Sequence, residues 1–362
     1  MTKHKFPYNW TLADAVFTKD KGKVFSCFAC GGGSTMGYKL AGYDVLGCNE
    51  IDPRMAECYI TNHKPKYAFI QPIQEFKLRD DLPADLYDLD ILDGSPPCSS
   101  FSMAGNREKD WGKEKHFREG QAKQVLDTLF FDFIELAQKL KPKIVIAENV
   151  KGMLIGKAKA YTKKVYEAFD AAGYYVRIYL FNAAKMGVPQ RRERIFFIAL
   201  RKDIADANAD IKKDKNSAPI LEFGFNEPEI PFKDIECATT KYGTKHCSPD
   251  QKKWWLLTNE GESFSKNHPK GSWFNSAKVN RNKPINTIQG TARNSASGFY
   301  HYFEPRHLHV EEYQKAGSYP MDYNFAGFSE NPVYLIGMSV PPLCTAQIAT
   351  KIHQQWLSKI NK

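Results

Sequence analysis

Through the first 200 residues, short apolar runs alternate with segments that carry apolar residues at helical spacing. "VFSCFAC" (24–30) reads as a buried strand running into the glycine turn "GGG" (31–33), and 34–42 reads as the helix that follows. "YDVLGCNEID" (43–52), "LDILDGSPPC" (89–98), "KIVIAENV" (143–150), "YYVRIYLFNA" (174–183) and "RIFFIALR" (194–201) read as further strands. Residues 55–63, 122–141 and 158–172 read as helices, the second stopped by Pro142. This order predicts an α/β fold, a doubly wound and mostly parallel sheet of Rossmann-like form, with ligands at the C-terminal strand ends. After residue 200 the alternation fades. Residues 201–290 are polar and rich in Pro, Asn and Lys, which predicts a smaller, loop-rich domain. Helical spacing returns in 307–320 and 341–359. The expected division is 1–200 plus 332–362 as one domain, 201–309 as the smaller one and 310–331 as a hinge.

A chain of 362 residues, 42% hydrophobic and 25% charged, can bury a large core. No apolar run reaches the roughly 18–20 residues that span a bilayer, and no basic start with an apolar stretch marks a secretory signal. A cytoplasmic protein with no membrane partner is expected. Its eight cysteines are scattered, so reduced thiols are expected, and no recurring CxxC suggests a metal site. The net charge of +10 favours a polyanionic partner. Residues 238–290 hold nine Lys/Arg against three acids, interleaved with Tyr242, Trp254, Trp255, Phe264, Trp273 and Phe274. Such a surface suits a nucleic acid.

Two constellations carry chemistry. Gly31, Gly32 and Gly33 sit between a strand and a helix, where glycine lets a ligand approach the backbone. Glu50 closes the next strand, 19 residues past Gly31, where an acid accepts both hydroxyls of a ribose. A nucleoside cofactor follows. Separately, Cys98, the triplet 148–150 and "QRRER" (190–194) all fall at strand ends or in the turns beside them. In a doubly wound sheet those ends meet in one crevice, which then holds a thiol, a carboxylate and several guanidiniums.

The blocks "FACGGGSTMG", "NEID", "GSPPCSSFS", "DTLFFD", "ENVKGM", "PQRRERIFFIA", "KPINTI", "RHLHVEEYQKAGSYP" and "IGMSVPP" stand in this order. From about Val24 to Ile352, the chain resembles prokaryotic cytosine-C5 DNA methyltransferases of restriction-modification type, least so in 201–280. The resemblance implies S-adenosylmethionine as methyl donor, double-stranded DNA as substrate and a target-recognition role for the smaller domain. It implies the modification half of a restriction system, with a cognate endonuclease acting separately, or a solitary enzyme. A monomer is expected, since one copy carries every part of the site.

Cytosine C5 is a poor nucleophile. A thiolate added at C6 turns C5 into an enamine carbon, and Cys98 is assigned that thiolate. Glu148 is assigned to N3 and N4, Arg194 to O2, and Arg192 to the loop or a phosphate. The base must leave the stack to be attacked, and 99–124, with Gly105, Gly112 and Gly120 as hinges, is the expected lid. Expected donor contacts are Phe28, Gly31, Gly32, Gly33, Glu50, Ile51, Ile73, Pro96, Leu129, Ser339 and Val340. Expected DNA contacts are Ser99, Ser100, Gln190, Trp273, Lys278, Arg281, Thr287, Thr291 and Arg293, with "TIQGTARN" foremost. The chain departs from the family pattern at three places. Cys30 replaces the first glycine of the turn, 70–76 lacks the usual Asp, and Met338 replaces an Asn. These put donor affinity in question before they touch the methyl chemistry. Competing readings are a tRNA methyltransferase with the same site, a DNA-binding protein without cofactor use, and a nicotinamide dehydrogenase. The last leaves Cys98, Glu148 and the arginines unexplained.

Overall fold

The computed structural model describes residues 4–97, 114–115, 124–125, 128–156, 158–271, 273, 276–292 and 297–360. The chain divides into two compact units. The sheet unit comprises Val16–Phe181, Glu193–Gly224 and Ala346–Lys362, and the second unit comprises Met1–Ala15, Asn182–Arg192 and Phe225–Thr345.

The cuts differ from the sequence-based ones: 1–15, 182–192 and 332–345 lie with the second unit, and two further differences have a visible local cause. The polar stretch after residue 200 stays with the sheet unit to Gly224. Arg177 reaches Pro219 O at 2.7 Å and pairs with Asp214, while Leu221 N donates to Tyr179 Oη at 3.2 Å. The segment expected as a hinge belongs to the second unit. Within it, buried Glu312 accepts from Arg306 Nη1 and from His309 N, at 3.0 and 2.7 Å.

In the sheet unit the elements run β1 (Lys23–Cys27), α1 (Gly33–Leu40), β2 (Asp44–Glu50), α2 (Pro53–His63), β3 (Tyr67–Ile70) and β4 (Ile91–Gly94). There follow α3 (Leu129–Leu140), β5 (Ile144–Val150), α4 (Ala158–Ala171), β6 (Tyr174–Asn182) and β7 (Glu193–Arg201). The strand order is β3-β2-β1-β4-β5-β7-β6. The pairs β1–β2, β2–β3, β1–β4 and β4–β5 are parallel, and β5–β7 is antiparallel. The chain leaves β1 for β2 on one side and later returns to β4 on the other. That reversal opens a crevice at the C-terminal ends of β1 and β4. The doubly wound expectation holds.

Local chemistry sets the elements. Asp52 caps α2, accepting from Arg54 N at 3.0 Å, and Pro53 supplies the first helical residue. α3 ends on Lys141 in the left-handed region, immediately before Pro142. Its buried Leu129, Phe130, Phe133, Leu136 and Leu140 face the sheet, where Phe130 meets Phe197 edge-on at 5.1 Å. Each such ring contributes about 2–3 kcal/mol by burial. The predicted helix at 122–141 starts at Leu129, and β3 was not foreseen because its alternate residues are exposed. The most apolar 18-residue window of the C-terminal helical stretch, inside Pro332–Ile360, is 83% buried within the protein, as befits a core segment.

The second unit is built around Trp254, Trp255, Phe264 and Tyr300, with Trp273 packed on them. Its helix α5 (Pro249–Leu257) starts on a capping box of Ser248 and Gln251. Short strands Ser276–Lys278 and Gly298–Tyr300 run parallel beside it.

Candidate active site

The turn after β1 is left-handed at three alternate residues: Phe28 (φ 51°), Cys30 (φ 48°) and Gly32 (φ 86°). Only the last is a glycine, so Phe28 and Cys30 each carry on the order of 1–2 kcal/mol of backbone strain. Glu50 holds the turn in place by accepting from Cys30 N at 2.8 Å. The non-glycine residue at 30 is thus accommodated by a specific backbone bond. Gly32 cannot be replaced as easily, because a Cβ there would lie 2.1 Å from Nε2 of the buried His63.

Glu50 itself is 6% exposed. Its other oxygen accepts from Asp52 N at 2.9 Å. Burial pushes its carboxyl up to about 7, against the lowering effect of the backbone bonds. Backbone donors from Cys30, Ile51 and Asp52 leave the carboxyl only part of its acceptor capacity for a ribose hydroxyl. The strained turn and the buried acid fit the ribose end of S-adenosylmethionine. Phe28 and Ile51 are half-buried beside them, and the Phe28 ring lies 6.3 Å from that of Phe133. Ile73 and Leu129, expected as donor contacts, are members of the main apolar core together with Phe25 and Phe76.

On the other side of the crevice, three segments are tied together. Asn149 Nδ2 donates to Pro96 O at 3.1 Å, which anchors the turn after β4 to the end of β5. β7 runs antiparallel to β5 and sets Phe196 opposite Glu148 and Arg194 opposite Val150. Arg194 Nε then stands 3.0 Å from Glu148 Oε1. The ion pair lacks hydrogen-bond alignment, so buried Oε1 has no donor. Arg194 Nη1 donates instead to Glu193 O at 2.8 Å. The result is a carboxylate held by charge with an acceptor position open. Cys98, Ser99, Ser100 and the expected lid lie outside the described residues apart from the two-residue strands 114–115 and 124–125, and so does Arg293.

Several expected contacts in the second unit have structural work. Gln190, expected on the DNA surface, is 1% exposed. Its amide accepts from Ile288 N at 3.0 Å and donates to Ala316 O at 3.2 Å, so it is an interior clamp. Arg192 is buried too, and its Nη1 reaches Ile288 O and Gly337 O, both at 3.1 Å. Of its two expected roles, this geometry is that of a loop holder. Thr287 Oγ1 donates to Arg191 O at 2.9 Å. Lys278 Nζ donates to Trp255 O at 3.3 Å and Thr258 O at 3.2 Å, at the C-terminus of α5 and 3.9 Å above the Trp255 ring. Arg281 pairs with Glu260 and lies over Tyr302. Trp273 packs against Trp254, Phe264 and His268. Thr291 is exposed. Ser339 is buried and donates to Leu335 O at 2.9 Å, and Val340 is buried after it. Met338 packs over Gly290, where a Cβ would lie 3.0 Å from Sδ. This replacement of an Asn thus fills space against the "TIQGT" segment.

Two residues were missed. Asn149 stood inside a recognised triplet, but its tie to Pro96 is a contact between distant segments. Asp93 is an acid inside the apolar run "ILDG", and that placement was the available signal. Among the described residues, no group of three or more His, Cys, Asp or Glu side chains could hold a metal ion.

The family model described as C-5 cytosine-specific DNA methylase matches residues 22–354. The type II methyltransferase M.FnuDI of Fusobacterium nucleatum is 34% identical over 186 residues, 51% of this chain and 49% of that protein. M.NgoFVII of Neisseria gonorrhoeae, also a type II methyltransferase, is 27% identical over 350 residues, 92% of this chain and 87% of that one. The chain therefore spans about half the length of the first relative and most of the second. Among solved structures, an E. coli prophage protein described as a DNA modification methyltransferase superposes with a TM-score of 0.67 at 16% identity, over 92% of this chain and 99% of that one. The S. pombe Dnmt2 methyltransferase does so with a TM-score of 0.60 at 14% identity, over 92% and 99%. These two likenesses speak to the fold.

Proposed function

This chain belongs to the C-5 cytosine-specific DNA methylase family, and from that premise we propose that it methylates C5 of a cytosine flipped out of double-stranded DNA, using S-adenosylmethionine. The observation that carries this reading is the tie of Glu148, Arg194, Asn149 and Pro96 at one sheet edge. It sets an open carboxylate oxygen beside the backbone that leads to Cys98.

The Cys98 thiolate adds to C6, forming the S–C6 bond and moving the C5=C6 electrons toward N3 and O2. Glu148 in its acid form donates at N3 and its open oxygen accepts from the N4 amine, while Arg194 stabilises O2, so the ring carries its charge with C5 activated. S-adenosylmethionine, when bound, supplies an electrophilic methyl on a sulfonium. Glu50 would hold its ribose, and the 28–33 turn with Ile51 would hold the nucleoside. Once C5 has taken that methyl, loss of the C5 proton to a base re-forms the C5=C6 bond, breaks the S–C6 bond and returns the Cys98 thiolate.

For DNA recognition, the second unit supplies the reading surface. Thr291 is exposed and remains a base-contact candidate, Arg293 is a second candidate from the sequence, and Trp273, Lys278 and Arg281 serve the unit's own packing and pairing. Similarity to the two type II methyltransferases favours a modification enzyme with a separately acting endonuclease. A monomer working in the cytoplasm completes the proposal.

The test is transfer of labelled methyl from S-adenosylmethionine to unmethylated duplex DNA and, in parallel, to tRNA. Label in DNA from the wild type, none with Cys98→Ala, is the expected result. Label confined to tRNA overturns the substrate assignment.

A further inference from the structure

Asp93 is the penultimate residue of β4, five positions before Cys98, and is 4% exposed. Its Oδ2 accepts from Ser26 Oγ and Ser34 Oγ, both at 2.8 Å, and its Oδ1 accepts from Tyr38 Oη at 3.0 Å. Ser26 lies on β1, one residue before its end. Ser34 and Tyr38 lie on α1, the helix that the glycine turn opens. α1 has no side-chain cap, and its N-cap is the left-handed Gly32. One carboxylate therefore ties three elements: β1 and α1 flank the donor turn, and β4 precedes Cys98 in the chain by four residues.

A bland core would place an aliphatic residue here. Ile91 and Leu92 beside it are fully buried apolar side chains. A buried carboxylate is costly unless it is well bonded, and this one is bonded by hydroxyls alone. Burial pushes its carboxyl up to about 6, the three hydroxyls pull it down, and the nearby Glu148 carboxylate adds to the rise. The register agrees with that proximity. Asp93 pairs with Ile146, and Glu148 is two residues further along on the same face.

We propose that Asp93 is a positioning residue that locks the donor-binding turn to β4, the strand that leads in sequence to Cys98, through Ser26, Ser34 and Tyr38. The idea rests on the methyltransferase reading. The carboxylate keeps the first turns of α1 and the end of β4 in one register. A change at either partner then reaches both donor affinity and turnover.

The experiment uses the full chain. Asp93→Asn keeps the shape, and Ser34→Ala removes one tie alone. Each variant is checked by a thermal melt and by amide exchange of the 27–37 segment in the donor-free protein. Donor Kd, KM, kcat and DNA Kd are then measured. Asp93→Asn is expected to raise the donor Kd by about tenfold and lower kcat, with DNA Kd unchanged and exchange in 27–37 accelerated. Ser34→Ala is expected to raise donor Kd in the wild type and to add little in the Asp93→Asn background. A folded Asp93→Asn protein with wild-type donor Kd, kcat and exchange overturns the proposal, as does additivity of the two changes. A wild type that binds no donor overturns the methyltransferase reading, and this proposal with it.

Discussion

At the residue scale, the account turns on carboxylates in unlike surroundings. Glu148 is held by Arg194 with one oxygen open. Glu148→Gln keeps the shape but cannot pass a proton, so kcat should fall by about 10²–10⁴-fold with DNA affinity little changed. Single-turnover kinetics beside a DNA-binding titration checks this. Glu50 gives a stability prediction. Its folded carboxyl titrates at about 7, above its ordinary value of 4.5, because it is buried. The neutral form therefore favours the fold. The associated stability is complete below pH 4.5 and is lost as pH rises through 7. Melting temperature should fall over that window, and Glu50→Gln should flatten the fall and gain on the wild type at pH 8. Equal slopes for the two proteins would refute it. Much of this was legible in the sequence, since Glu50 and Glu148 end apolar runs. Gln190 was not. A polar residue in an arginine-rich block looks exposed, and only the fold shows Ile288 and Ala316 closing on its amide.

At the element scale, the glycine turn is the tightest constraint. Gly32→Ala puts a Cβ against His63 and forces an L residue to φ 86°, a cost of about 1–3 kcal/mol. A lowered melting temperature and weakened donor binding are expected. His63→Ala in the same background should relieve the clash but leave the backbone strain, giving a partial recovery in the melt. The strands and helices of the sheet unit were mostly readable, because their apolar periods are strong and Pro142 marks a stop. β3 escaped because four residues with alternate exposure give too short a pattern. The start of α3 was placed too early, since the apolar spacing of 122–128 continues into a helix that begins at Leu129.

At the scale of the whole molecule, the division into units was the least legible feature. Side-chain ties such as Arg177 to Asp214 and Arg306 to Glu312 decide which segment goes with which unit, and composition does not record them. Arg192 belongs to the same class. Arg192→Ala leaves the buried carbonyls of Ile288 and Gly337 without this donor, which should cost about 2–4 kcal/mol. A urea melt should show the loss, while kcat of the folded enzyme at low temperature changes by less than about tenfold. A loss of turnover without a loss of stability would make Arg192 catalytic instead.

The central claim is that this chain methylates cytosine C5 in DNA through Cys98. Base-resolution bisulfite sequencing of DNA from cells expressing the wild type or Cys98→Ser tests it most directly. The account predicts methylcytosine at one short recurrent site in the wild-type sample and none at that site in the variant. Methylcytosine in both samples would contradict the role of Cys98, and its absence from both would contradict the activity on DNA.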